Sequence, residues 1–272
     1  MNKRRLPRIA FSLTGTRRRN LIAIGAFLLF YVAFGAHATA FQERIAYHPG
    51  SRDFADCPEL SDAEQVSFKG TRMYVHDTGG RFAVIYHGNA GTACDRAFIA
   101  DVFVKAGYSY ALPEYAGYAG GEGFPSHERV KEDVKNVVSY LKTLGRGASV
   151  VFGESIGTGA ASYHASLASV DRIVLVSPFT DLAAVARRHF WYYPTAWLVD
   201  DAFDNEALLA GFSGRALIVH GDADATVPVV LGKELFASLD AKQKRLSIIP
   251  GAGHDDLYDF PETLAAIKNF IR

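Results

Sequence analysis

Cysteine is scarce in this chain. Cys57 and Cys94 are the only two among 272 residues, and no Cys/His spacing matches a zinc site. Neither a metal nor a cofactor is expected. In an oxidising compartment the two thiols can pair, but the sequence supplies no distance between them, so a disulfide stays open. Acidic residues are missing before residue 20, where Lys3, Arg4, Arg5, Arg8, Arg17, Arg18 and Arg19 stand. The formal net charge of zero is therefore uneven. With those seven set aside, 22 basic residues face 29 acidic ones, and the remainder carries about −7. That argues against a nucleic-acid binder, which needs a basic face on its folded domain. Internal repeats and low-complexity tracts are absent too. At 49% hydrophobic and 21% charged, the composition is globular, neither disordered nor wholly membrane-embedded. The length suits one large α/β domain.

Long apolar runs are limited to one. Leu21 to Phe34 is uninterrupted apolar-plus-glycine sequence, extended less strongly to Phe41, which approaches the roughly 20 residues that cross a bilayer. Seven basic residues precede it and only Arg44 and Arg52 follow closely. A retained anchor would thus keep the N-terminus cytoplasmic and the rest outside, in the periplasm of a Gram-negative cell. A cleaved signal peptide competes with this, because Ala38-Thr39-Ala40 has the form of a cleavage site and Arg18-Arg19 offers a weak twin-arginine pattern. Both readings put the remainder in one compartment. The expected organisation is a basic tail at 1–20, a membrane segment at 21–41, a connector at 42–62 and a folded domain at 63–272.

Within that domain, short apolar strands alternate with amphipathic helices. Phe82–Tyr86, Tyr108–Leu112, Ser149–Phe152, Ile173–Val176, Ala216–His220 and Leu246–Ile249 read as buried strands. Asp95–Ala106, Ser126–Leu144, Gly157–Ala168, Pro228–Leu239 and Pro261–Arg272 read as helices. Ala63–Phe68 and Arg72–Asp77 flank Lys69-Gly70 as a hairpin. The pattern predicts a mostly parallel sheet covered on both faces. Residues 179–212 make a longer excursion, rich in aromatics. It is either a small cap over the site or a helical detour on the sheet edge.

Three strand ends carry polar residues in a telling order. Val150-Val151-Phe152-Gly153-Glu154-Ser155-Ile156-Gly157 is a strand, a G-x-S-x-G turn and a helix start, which lifts the Ser155 hydroxyl out of the sheet. His220-Gly221-Asp222-Ala223-Asp224 and Gly251-Ala252-Gly253-His254 follow two later strands. A serine hydroxyl needs an adjacent base and the base an orienting acid, and Ser, Asp, His is the order this architecture requires. Asp222 is expected to brace the acid loop rather than face the base. Asp255 and Asp256 resemble a metal cluster only superficially. Upstream, His87-Gly88-Asn89-Ala90-Gly91 follows another strand and can set the Asn89 amide opposite that of Ile156, giving two donors to one oxyanion. His87 itself is expected to brace that loop.

These pieces resemble the α/β-hydrolase superfamily, and in particular its membrane-anchored serine hydrolases, the group that includes protein depalmitoylases. The resemblance rests on Phe41-Gln42-Glu43-Arg44-Ile45-Ala46-Tyr47-His48-Pro49, the H-G-N-A-G run at His87 and Tyr115-Ala116-Gly117-Tyr118. The elbow at Ser155, the H-G-x-x-D-x-x-V-P segment ending at Pro228 and G-A-G-H at Gly251 complete it. It implies Ser155 as nucleophile, Asp224 as acid, His254 as base and the Asn89 and Ile156 amides as oxyanion hole. Glu154 departs from the family pattern, as does Ala119-Gly120-Gly121-Glu122. The implied activity is cleavage of ester or thioester bonds in small or lipid-like acyl substrates, with Trp191, Tyr192 and Trp197 of the excursion contacting the acyl chain. A peptidase of the same fold and a non-catalytic scaffold are the alternatives. Nothing in the sequence fixes the oligomeric state.

Overall fold

The structure, a computed structural model, describes residues 15–199 and 203–272. The chain divides into two compact units at the Phe41–Gln42 junction. The described part of the first unit is the helix α1 (Gly15–Ala40) followed by Phe41. Its 24 residues from Arg17 to Ala40 have a mean hydropathy of 2.0 in their most apolar window. At 1.5 Å rise per residue this helix is long enough to cross a bilayer core of about 30 Å.

The second unit is built on one eight-stranded sheet. Its strands are β1 (Glu64–Phe68), β2 (Thr71–His76), β3 (Arg81–Tyr86), β4 (Tyr108–Glu114), β5 (Ala148–Glu154), β6 (Arg172–Val176), β7 (Arg215–Gly221) and β8 (Gln243–Ile249). They lie in the order β8-β7-β6-β5-β3-β4-β2-β1. The pairs from β8 through β3 to β4 are parallel, while β2 runs antiparallel to both β1 and β4. The central strands read as unbroken apolar runs because both faces are covered. Val84, Ile85, Val150, Val151, Ile173, Val174, Leu217 and Ile218 are all buried.

The helices of this unit are α2 (Gln42–Ala46), α3 (Ala97–Lys105), α4 (His127–Thr143), α5 (Gly157–Leu167), α6 (Leu182–His189), α7 (Thr195–Leu198), α8 (Asn205–Leu209), α9 (Val229–Ser238) and α10 (Pro261–Ile271). Apolar residues of α4, α5 and α9 form one core with alternate strand residues, and those of α3 and α10 form the other. Local chemistry fixes several helix starts. The Ser126 hydroxyl accepts the Arg129 amide at the head of α4, and the Asp204 carboxylate accepts the Ala207 amide at the head of α8.

The segment 42–62 is more than a connector. Tyr47, Phe54, Cys57 and Leu60 are buried in the two cores. His48-Pro49 pairs in parallel with Ala90-Gly91, and Cys57 is joined to Cys94. Pro49-Gly50 and Pro58 interrupt the segment, so hydrophobic patterning could not assign these residues to one element. Among the described residues, the excursion between β6 and β7 contains the three short helices α6, α7 and α8.

Candidate active site

The parallel strands point their carboxyl ends toward one edge of the sheet, where loops can gather side chains from distant parts of the chain. At the end of β5, Ser155 has φ +51°, a left-handed conformation that an L-residue keeps only when its surroundings enforce it. The enforcing contacts are explicit. The Ser155 amide donates to the Val176 carbonyl at 2.9 Å. The Ser155 carbonyl accepts from the Thr158 amide at 2.9 Å and the Thr158 hydroxyl at 2.6 Å. The turn closes only over glycine: a Cβ on Gly153 would strike the Gly157 carbonyl, and one on Gly157 would strike the carbonyls of Tyr86 and His87.

The three side chains singled out by their order meet here. Ser155 Oγ lies 3.0 Å from His254 Nε2, and His254 Nδ1 lies 2.7 Å from Asp224 Oδ2. Ser155 and Asp224 are buried while His254 keeps partial access to solvent. Asp224 is held from all sides. Its Oδ1 accepts the amides of Thr226 at 3.0 Å and Val227 at 2.7 Å. The buried His220 places Nε2 3.3 Å from Asp224 Oδ2 and 2.8 Å from the Val227 carbonyl. Burial alone would raise the Asp224 carboxyl. The hydrogen bonds from His220 and His254, the charge of His254 and the Val227 amide outweigh it and hold the group well below the usual carboxylate range. Burial likewise pulls His254 down, but its hydrogen bond to Asp224 and the charges of Asp224, Glu154 and Asp255 leave it above the ordinary histidine value.

The neighbouring acids have other work. Asp222 Oδ1 accepts the Gly251 amide at 2.7 Å, tying the acid loop to the histidine loop. Asp256 Oδ1 accepts the Gly253 amide at 2.6 Å, and Asp255 is exposed. The Ile156 amide heads α5, where first-turn amides have no helical partner. Asn89 lies in the loop after β3, its carbonyl accepting the His48 amide at 2.9 Å and the Tyr118 hydroxyl at 2.6 Å. His87 is fully buried beneath it. One ring nitrogen lies 2.8 Å from the Gly88 carbonyl and the other 3.2 Å from Glu114 Oε1. The ring packs against Tyr115 at 4.1 Å between centroids, and the Tyr115 hydroxyl donates to the His87 carbonyl at 2.8 Å. These contacts are those of a brace.

Sequence reasoning missed a clamp beside the serine. Both Glu154 oxygens are engaged by Arg96, Nε and Nη2 each at 2.6 Å, and Oε2 also accepts the Tyr258 hydroxyl at 2.8 Å. Burial would raise this carboxyl, but the charge and hydrogen bonds of Arg96, joined by Tyr258 and His254, hold it below its ordinary value. The clamp joins the segment after Cys94, the serine turn and the segment after His254. Its only sequence signal was an acid next to the nucleophile position, since its partners stand 58 and 104 residues away.

The excursion is placed differently. His189 Nε2 lies 2.9 Å from the Thr226 carbonyl, which docks the end of α6 on the acid loop. Beyond it, Trp191 is 80% and Trp197 88% exposed, and Tyr192 is half-exposed, so these rings face outward.

No family model matches the chain. Its fold nevertheless defines a class, that of the α/β hydrolases. The chain is 32% identical over 245 residues to an uncharacterised protein of Mycobacterium tuberculosis, a match that covers 85% of this chain and 87% of that one. It is also 28% identical over 217 residues to the lysophosphatidylserine lipase ABHD12 of Danio rerio, covering 68% of this chain and 56% of the lipase. This chain therefore spans little more than half the length of that relative. Among solved structures, an esterase of Pyrococcus furiosus shares the fold with a TM-score of 0.66 at 17% identity, over 83% of this chain and 96% of the esterase. A monoacylglycerol lipase of Paleococcus ferrophilus does so with a TM-score of 0.57 at 20% identity, over 70% and 93%.

Proposed function

We propose that this protein is a membrane-anchored serine hydrolase that cleaves carboxylic ester or thioester bonds of acyl substrates through an acyl-enzyme. The observation that carries the reading is the continuous path from Ser155 Oγ through both nitrogens of His254 to Asp224, with contacts of 3.0 and 2.7 Å. Asp224, kept ionised, accepts from His254 Nδ1–H and so leaves Nε2 free to take the serine proton. Ser155 Oγ attacks the acyl carbonyl. The oxyanion is met by the amides of Ile156 and Asn89, and the alcohol or thiol leaves with the proton from His254. Water, deprotonated by the same histidine, then releases the acid and regenerates Ser155.

The likeness to a lysophosphatidylserine lipase favours lipid-like acyl esters. The basic residues before the apolar helix support a cytoplasmic N-terminus, and the Cys57–Cys94 bond suits a domain outside the cytoplasm. The test is fluorophosphonate labelling of the folded protein, mapped by mass spectrometry. Labelling confined to Ser155 and lost in Ser155→Ala is expected, with a fall in ester turnover of about 10⁴-fold or more. A folded wild-type protein that takes no label and hydrolyses neither esters nor thioesters would sink the reading.

A further inference from the structure

We propose that the aromatic turn at residues 190–197 is a lipid contact, and that its partner is the headgroup–acyl boundary of a phospholipid bilayer. The inference rests on the reading of this protein as a membrane-anchored acyl hydrolase and adds a surface by which the folded domain itself touches lipid. The chain has two tryptophans in all. Both lie in this turn, 80% and 88% exposed, with Phe190 at 41% and Tyr192 at 50%. Single exposed apolar residues are ordinary, but a contiguous exposed patch marks an interaction site.

The patch is organised. Tyr192 meets Phe190 edge-on at 6.4 Å and Trp191 edge-on at 5.7 Å. The turn is also held in that attitude from below. Ala183 and Ala184 are buried at the start of α6, and the buried Thr195 donates its hydroxyl to the Ala183 carbonyl. Small residues thus anchor the excursion while the large rings point away from the cores.

The composition selects the partner. Trp and Tyr, with an apolar body and a polar edge, concentrate where a bilayer meets water. The last turn of α6 adds the exposed Arg187, whose stem can lie along lipid while the guanidinium reaches phosphate; Arg188 beside it is paired with Glu234 at 3.5 Å. The same chain carries an apolar helix of membrane-crossing length, and that tether raises the effective concentration of bilayer around the domain. The hydrogen bond from His189 to the Thr226 carbonyl puts the contact beside the acid loop.

The two tryptophans make the test direct, because all tryptophan emission comes from this turn. The full-length Ser155→Ala protein is placed in phospholipid nanodiscs with or without bromine on the upper acyl chain, and quenching by aqueous iodide is read in parallel. Blue-shifted emission, most of it lost to brominated lipid and shielded from iodide, is the expected result. Single Trp191→Phe and Trp197→Phe variants assign it to each ring. Emission quenched by iodide and indifferent to brominated lipid would overturn the proposal, leaving the turn a solvent-facing cover. Emission indifferent to both quenchers would also overturn it, by placing the rings against protein. No turnover is read, so failure here is separable from failure of the hydrolase reading.

Discussion

The loops that carry Ser155, Asp224 and His254 and the turn that carries Trp191 and Trp197 touch at Thr226, yet they are built in opposite ways. In the first, polar groups are matched one by one. Asp224 has four hydrogen-bonding neighbours, Glu154 is forked by Arg96, and even the backbone strain at Ser155 is pinned by named bonds. In the second, large apolar rings stand in the open above two buried alanines. Stabilising a charge that develops in a reaction needs dipoles fixed beforehand, because reorientation during the reaction would cost what the site is meant to supply. Contact with a fluid lipid phase needs area and tolerates imprecision.

The sharpest way to break this contrast is to unmatch one polar group. In Asp224→Asn the amide presents the wrong partner to His254 Nδ1, and kcat/KM on a soluble ester should fall by roughly 10⁴-fold. Asp222→Asn keeps an oxygen to accept the Gly251 amide, removes only the charge, and should cost less than about tenfold, in line with the weakening of a single loop hydrogen bond. Steady-state kinetics on both variants checks this, and equal losses would mean that Asp222 does more than brace.

Glu154→Gln comes next. It keeps the shape and removes the charge, leaving Arg96 unpaired in a mostly buried place. The fall in unfolding free energy should be about 3 kcal/mol, the cost typical of breaking a buried ion pair, read by urea denaturation. The same variant predicts a shift in pH dependence. His254 must be neutral to accept the serine proton, so activity rises with pH through its pKa. Glu154 is one of the charges that raise it, so removing that charge should move the acid limb of kcat/KM to lower pH. An unmoved limb would confine Glu154 to scaffolding.

The smallest effect should come from the other region. Trp197→Ala removes a ring that is 88% exposed and should change stability by less than about 0.5 kcal/mol. A larger loss would show that the ring packs more closely than its exposure implies.

The parts that were legible in the sequence share a physical cause. Buried parallel strands must be apolar on both faces, so β3, β5, β6 and β7 were readable, and with them the strand ends from which Ser155 and Asp224 emerge. The glycines beside Ser155 were readable because the turn leaves no room for a Cβ. Illegible features were those made by pairing across long separations. Arg96 and Tyr258 are unremarkable until Glu154 stands between them. Tyr47 and Phe54 stand on either side of Pro49-Gly50, which breaks any single element that could have revealed their burial. The Cys57–Cys94 bond needed a distance. The direction in which Trp191 and Trp197 face is likewise set by what anchors their turn rather than by the rings themselves.

The sheet order has a consequence for how the protein comes into being. His254 lies 99 residues beyond the serine it meets, on the loop after β8, a strand made after β7 and laid on its outer edge. A chain emerging from the ribosome carries its serine turn long before it carries a base. Until Gln243–Ile249 joins the edge, Ser155 has no His254 beside it, and the proposed base is missing. On the proposed mechanism, the fold itself keeps the serine silent until β8 has been made and docked.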